Sequence, residues 1–129
     1  PVLNQPAGHV EPGETLAEGA VRETLEETGQ HVEPTDLVGV YIWTSPVNGA
    51  TYYRFCFAAR WLGAAADACI DPDIDAHHWY TLEELRARAA MHRSPLVLRC
   101  VEDHAAGRRY PLELVHDADA LARAAAGQP

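Results

Sequence analysis

The chain has 129 residues, of which 47% are hydrophobic, and a formal net charge of −9 at pH 7, so we predict one soluble domain over residues 1–129. The acidic balance excludes bulk binding to a nucleic acid polymer, which requires a basic surface, and no apolar run approaches the roughly 20 residues that span a membrane. The cysteines at 56, 69 and 100 are widely spaced and form no CxxC pattern, which indicates free thiols and a cytoplasmic location.

The first predicted element is a helix that begins after Thr15 and ends at Gly29. Glu18 follows Thr15 by three residues, which is the spacing of a capping box, and Gly29 stands where a left-handed C-cap would end the helix. One side of this helix is small or apolar, as expected for packing on a core; its residues are Ala17, Ala20, Val21, Leu25 and Thr28.

The opposite side of the predicted helix carries Glu23, Glu26 and Glu27. At 100° per residue these acids share about a third of the circumference, and each like-charged pair weakens a bare helix by a few tenths of a kcal/mol. Such a carboxylate cluster suits a hard divalent cation, and the backbone at Gly8 can approach a cation closely. The alternative interpretation is a solvated acidic helix face.

Two strands are predicted next, over Asp36–Ser45 and Tyr52–Trp61, joined by a turn that contains Asn48-Gly49. An acidic loop over residues 71–75 follows, and His77–Tyr80 is predicted to be a short strand. The middle of the chain is therefore predicted to be a β-hairpin, an acidic loop and a third, short strand.

Three helices are predicted in the last third of the chain. The first opens with the capping pair Thr81 and Glu84 and continues to about Ala90, the second runs from Pro95 to about Ala106, and the third covers residues 117–126. This irregular alternation of helices and antiparallel strands predicts an α+β fold or an α/β/α sandwich.

Residues 8–29 resemble the Nudix box. The matching positions are Gly8, Glu14, Arg22, Glu23, Glu26, Glu27 and Gly29, at the spacing of that motif. Further short motifs are similar to those of the NudJ-type Nudix phosphatases; they are Asn4-Gln-Pro-Ala-Gly-His9, Asp73-Ile-Asp75 ahead of Trp79, Arg93-Ser-Pro95-Leu-Val and Arg109-Tyr-Pro111-Leu-Glu-Leu114.

The resemblance implies a Nudix-type α/β/α sandwich with a mixed sheet. Family members carry one or two N-terminal strands ahead of the segment that corresponds to residues 4–9, so we expect this chain to lack those strands. It also implies an enzyme that uses Mg²⁺, with Mn²⁺ as a substitute.

The catalytic assignment uses the residues of the box. We predict Glu26 and Glu27 as metal ligands together with the Gly8 carbonyl. Glu23 either binds metal or accepts the proton of the attacking water. Arg22 is predicted, from the family resemblance, to orient the acids, with Glu14 as its partner.

Further residues outside the box are candidates for substrate binding. Arg54 and Arg93 offer guanidinium groups that fit phosphate oxygens, although a surface salt bridge is an equal explanation for Arg54. Trp43 is a candidate for stacking on a base, as is Tyr53, and the alternative for both is a core position. Asp73, with its neighbour Asp75, either supplies a metal ligand or base or belongs to a polar turn.

The predicted activity is Mg²⁺-dependent cleavage of phosphoanhydride bonds by an activated water. The resemblance implies small-molecule substrates: nucleoside tri- and diphosphates, other organic diphosphates, and the thiamine precursor hydroxymethylpyrimidine pyrophosphate. It permits a monomer or a homodimer. Two other classes compete: a nucleotide-binding Nudix-like sensor that does not cleave, and an acidic interaction module.

Overall fold

The computed structural model describes residues 2–127. Its longer elements, in chain order, are α1 (Leu16–Thr28), β1 (Gln30–Thr44), β2 (Thr51–Ala64), α2 (Leu82–Arg86), α3 (Leu96–Ala105) and α4 (Ala118–Ala125). Short 3₁₀ turns cover Ala89–Met91 and Leu112–Leu114. The predicted α+β composition is confirmed.

Helix α1 has the predicted limits because both of its caps form. The Thr15 side chain accepts a hydrogen bond from the Glu18 amide, and the Glu18 carboxylate accepts one from the Thr15 amide. At the other end, Gly29 adopts a left-handed conformation with φ of 70°, and its amide donates to the Leu25 carbonyl. Both ends of the helix that carries the acids are therefore fixed.

Strands β1 and β2 form an antiparallel hairpin that is longer than predicted at both outer ends. The added residues, 30–35 and 62–64, are mostly polar or small, and cross-strand pairing rather than propensity makes them strands. Register shifts such as that between Pro34 and Asp36 let the ladder pass a residue that cannot donate. In the described residues, parallel pairing is confined to an isolated bridge between Leu3 and His92.

The second half of the chain departs from the sequence prediction at two places. The predicted strand at His77–Tyr80 is wrong: this segment has no ladder partner in the described chain, and the His78 ring instead stacks on Tyr80 at 5.4 Å. The helix predicted to reach Ala90 ends at Arg86, where the backbone tightens into 3₁₀ bonding. The helix predicted from Pro95 and the last helix form as expected.

The core lies where the hairpin meets α3. The most deeply buried apolar residues are Leu37, Val38, Ala58, Val97 and Cys100. Helix α1 also packs on β1, and the Leu3 backbone bonds to the chain at Met91 and Arg93. The N-terminal segment is thus tied to the region just before α3. No helix in the part of the chain described is long and apolar enough to cross a membrane.

Candidate active site

Arg22 lies at the centre of an acidic cluster on α1. Its Nε lies 3.2 and 3.0 Å from the two carboxylate oxygens of Glu14, and its Nη2 donates to Glu14 Oε1 at 2.8 Å. Nη1 donates to Glu23 Oε1 at 2.9 Å and to Glu26 Oε2 at 3.1 Å, while Nη2 also reaches the His9 carbonyl at 3.0 Å. The hydrogen bonds from Arg22 lower the pKa of Glu14 below its ordinary value. The predicted pairing of Arg22 with Glu14 is confirmed.

Glu27 is half-buried beside the N-terminal segment. Its Oε1 accepts a 3.0 Å hydrogen bond from the Ala7 amide. Burial raises the pKa of Glu27 above its ordinary value; the Ala7 hydrogen bond lowers it, and the nearby charges of Glu23, Asp71 and Glu26 raise it further. A positive charge placed here would relieve that repulsion.

The backbone of Gly8 lies directly against the Glu23 carboxylate. A Cβ added at Gly8 would lie closer to Glu23 Oε1 and Cδ than non-bonded atoms approach each other. The segment that contains Ala7, Gly8 and His9 therefore touches the acidic face of α1 at three points: Glu27, Glu23 and Arg22. The structure places Gly8 against Glu23 and Ala7 against Glu27, while the role of the Gly8 carbonyl as a metal ligand with Glu26 and Glu27 stays a prediction.

The loop after β2 approaches α1 through Asp71. The Asp71 amide donates to the Glu26 carbonyl at 2.8 Å. The Asp71 carboxylate accepts a hydrogen bond from the Asp73 amide at 2.9 Å, and its negative charge helps to raise the pKa of Glu27. Asp73 and Asp75, the acids chosen from the sequence, are both exposed. Sequence reasoning therefore missed Asp71, the acid of this loop whose charge acts on Glu27; its position just before Pro72 gave no signal for it.

The two candidate arginines both contact the N-terminal segment. Arg54 is half-buried and donates to Gln5 Oε1 and Asn4 Oδ1, each at 3.0 Å. It forms no salt bridge with an acid among the described residues, so the surface-salt-bridge alternative is wrong. Arg93 is exposed, and its amide donates to the Leu3 carbonyl at 2.8 Å. No sequence signal marked Asn4 or Gln5 as partners of Arg54.

The aromatic candidates point to opposite faces of the hairpin. Trp43 pairs with Tyr52 and Tyr53 pairs with Ile42, and directly paired residues share a face. The Trp43 and Tyr52 rings stack with centroids 6.3 Å apart. Arg54, two residues from Tyr52, lies on the Trp43 face, whereas Tyr53 is 66% exposed on the other face. Only Trp43 can therefore act together with Arg54.

The acidic face of α1 provides oxygen ligands that fit a divalent cation. In the described chain, Glu23 Oε2, Glu26 Oε1 and Glu27 Oε2 accept no hydrogen bond, so each acid keeps an oxygen available. Oxygen donors of this kind are those that Mg²⁺ prefers. The described side chains form no ready group of three converging ligands, and Arg22 holds one oxygen each of Glu23 and Glu26.

A capped helix with this acid and arginine arrangement, packed on an antiparallel hairpin, defines a Nudix hydrolase fold. The NUDIX domain family matches residues 3–100. The chain therefore belongs to the Nudix family, and the prediction of a Nudix enzyme is confirmed.

Three relatives illustrate the likeness. Phosphatase NudJ of Escherichia coli strain K12 and that of Shigella boydii are each 40% identical over 114 residues, which cover 88% of this chain and 73% of the relative. The solved structure of a Nudix hydrolase from Nitrosomonas europaea is 47% identical and has a TM-score of 0.87, covering 92% of this chain and 80% of that one. The predicted Nudix-type fold is confirmed by this likeness.

Proposed function

We propose that the chain is an Mg²⁺-dependent hydrolase of phosphoanhydride bonds in nucleoside tri- and diphosphates, with hydroxymethylpyrimidine pyrophosphate as a further substrate. The observation that carries the proposal is the acidic face of α1, where Glu23, Glu26 and Glu27 each retain a free oxygen and Gly8 lies against Glu23. The likeness to enzymes named phosphatase NudJ supports the substrate class.

In this proposal Glu26 and Glu27 hold the cation with the Gly8 carbonyl, and Mn²⁺ can substitute. When bound, Mg²⁺ supplies charge neutralisation at the phosphate and a more acidic water. Glu23 either joins the ligands or accepts the proton of the attacking water. Arg22 holds Glu23 and Glu26 in a common orientation.

The substrate itself is proposed to lie on the hairpin side of the site. Arg54 and Arg93 contact phosphate, Trp43 stacks on the base, and Asp73 binds from the loop after β2. Arg54 and Trp43 share a face of the hairpin, which supports their acting on one ligand. We also propose a single domain in the cytoplasm, which the free thiols of its cysteines support.

The test is release of phosphate and pyrophosphate from a nucleotide panel and hydroxymethylpyrimidine pyrophosphate, with Mg²⁺ and with EDTA. Glu27→Gln should lower kcat on the order of 100-fold while the protein remains folded by circular dichroism. Glu83→Gln, the same change on exposed α2, should keep wild-type activity. Metal-independent release, or full activity in Glu27→Gln, would refute the proposal; tight nucleotide binding without turnover would favour the sensor.

A further inference from the structure

Arg54 differs from most arginines of the described chain in having only neutral partners. Arg60 and Arg86, for example, each pair with a glutamate. Arg54 instead donates to two side-chain amides, Asn4 Oδ1 and Gln5 Oε1. A guanidinium has five N–H donors, so donors remain for an anion. Its positive charge is fixed in place but not neutralised.

The same amides connect Arg54 to the rest of the site. Gln5 Nε2 donates to the carbonyl of the buried Val97 at 2.5 Å, which anchors the Gln5 side chain to α3. Gln5 is followed within three residues by Gly8, a chain length of at most about 10 Å. Gly8 lies against Glu23 and its neighbour Ala7 bonds to Glu27. The N-terminal segment therefore contacts Arg54 through Asn4 and Gln5 and the acidic face of α1 through Ala7 and Gly8.

We propose that Asn4 and Gln5 are positioning residues that orient Arg54 and leave its charge free, so that Arg54 binds the phosphoryl group next to the one attacked. A carboxylate at either position would hold Arg54 equally well, but it would neutralise the guanidinium. Neutral amides keep the orientation and the charge together. The inference rests on the proposed function for its substrate, a polyphosphate with at least two phosphoryl groups.

Asn4→Asp is the discriminating variant because it keeps an acceptor oxygen for Arg54 while adding a negative charge. We expect KM for nucleoside di- and triphosphates to rise about ten-fold, with kcat retained and Tm unchanged or higher. A merely structural Arg54 would leave KM unchanged. Asn48→Asp adds the same charge in the hairpin turn, where Asn48 bonds to Tyr52 and Ala50, and should behave as wild type.

A double-mutant cycle identifies the group through which the new charge acts. In an Arg54→Gln background, Asn4→Asp should have little further effect on KM. An effect that persists undiminished there would show direct repulsion of the substrate and overturn the proposal, as would an unchanged KM in Asn4→Asp alone.

A binding measurement separates this inference from the proposed function. Calorimetric titration with inorganic pyrophosphate in Mg²⁺ requires no turnover, so it reports on Arg54 even if the chain proves inactive. We expect Kd to rise about ten-fold in Asn4→Asp and in Arg54→Gln. Equal Kd values in these variants and wild type would refute the role of Arg54 whatever the activity assays show.

Discussion

Arg22 and Glu14 are joined by three N–H···O contacts of 3.2, 3.0 and 2.8 Å, although Glu14 lies outside the helix that carries Arg22. The guanidinium that Glu14 holds is the one that bonds to Glu23 and Glu26. Glu14 therefore acts on the acidic face through Arg22. Its contribution is to hold the Arg22 guanidinium, and through it Glu23 and Glu26, in one orientation.

Glu14→Gln should lower kcat about ten-fold without unfolding the protein, because a neutral amide holds the guanidinium less firmly and the acids lose a common orientation. Steady-state kinetics with circular dichroism checks this. Glu33→Gln removes the same charge from an exposed pair with Arg60 and should be silent. Wild-type kcat in Glu14→Gln would show that the contact plays no part in the reaction.

Gly8→Ala should reduce Mg²⁺-dependent kcat with little change in Tm. The added Cβ would overlap the end of the flexible Glu23 side chain, so the carboxylate moves and the backbone does not. Gly49→Ala should show the opposite pattern. An added Cβ at Gly49 would meet no atom within 4 Å, but φ of 70° is strained for alanine, so the variant should lower Tm and leave kcat intact. A thermal melt and an Mg²⁺ titration of both variants distinguish the cases.

The sequence predicted α1 and its acids accurately because the information is local. Thr15, Glu18 and Gly29 define the helix ends through contacts within a few residues, and helix geometry then places the acids on one face. The Arg22–Glu14 pair followed from family resemblance, and the structure supplied its contacts. Capping residues read from the sequence therefore gave the helix limits that the structure has.

The sequence failed to predict features that depend on contacts between residues far apart in the chain. His77–Tyr80 has strand-like composition but no ladder partner in the described residues. Gln5 and Arg54 are 49 residues apart, and only folding of the hairpin against the N-terminal segment brings them together. Asp71 likewise reaches α1 through a backbone bond that no spacing rule anticipates.

The bond from Tyr41 Oη to Asp103 Oδ2, at 2.7 Å, should make stability depend on pH. This bond, assisted by Arg99 and Arg108, lowers the pKa of Asp103, so the carboxylate stabilises the fold above about pH 4, the unfolded value, and that contribution is lost as pH falls through the folded pKa. Tyr41→Phe should therefore lower the free energy of unfolding by about 1 kcal/mol at pH 7, with a smaller difference near pH 3.

Urea unfolding between pH 7 and pH 3 measures this difference directly. Tyr110→Phe removes a hydroxyl from a more exposed ring and serves as the matched control, for which little change is expected at any pH. A Tyr41→Phe deficit that stays constant down to pH 3 would show that the contact does not depend on the Asp103 charge.

Trp43→Ala should weaken binding of substrates that carry a base and leave inorganic pyrophosphate unaffected. Trp43 shares its hairpin face with Arg54, and stacking on one base contributes about 1–3 kcal/mol. Loss of the Tyr52 stack should also lower Tm slightly, so Kd by calorimetry is the deciding measurement rather than stability. Trp79→Ala, which removes a 70% exposed indole from its edge-to-face contact with Trp61, is the control and should keep both Kd values. Equal weakening for nucleotide and pyrophosphate in Trp43→Ala would mean that the indole supports the hairpin and does not contact the base.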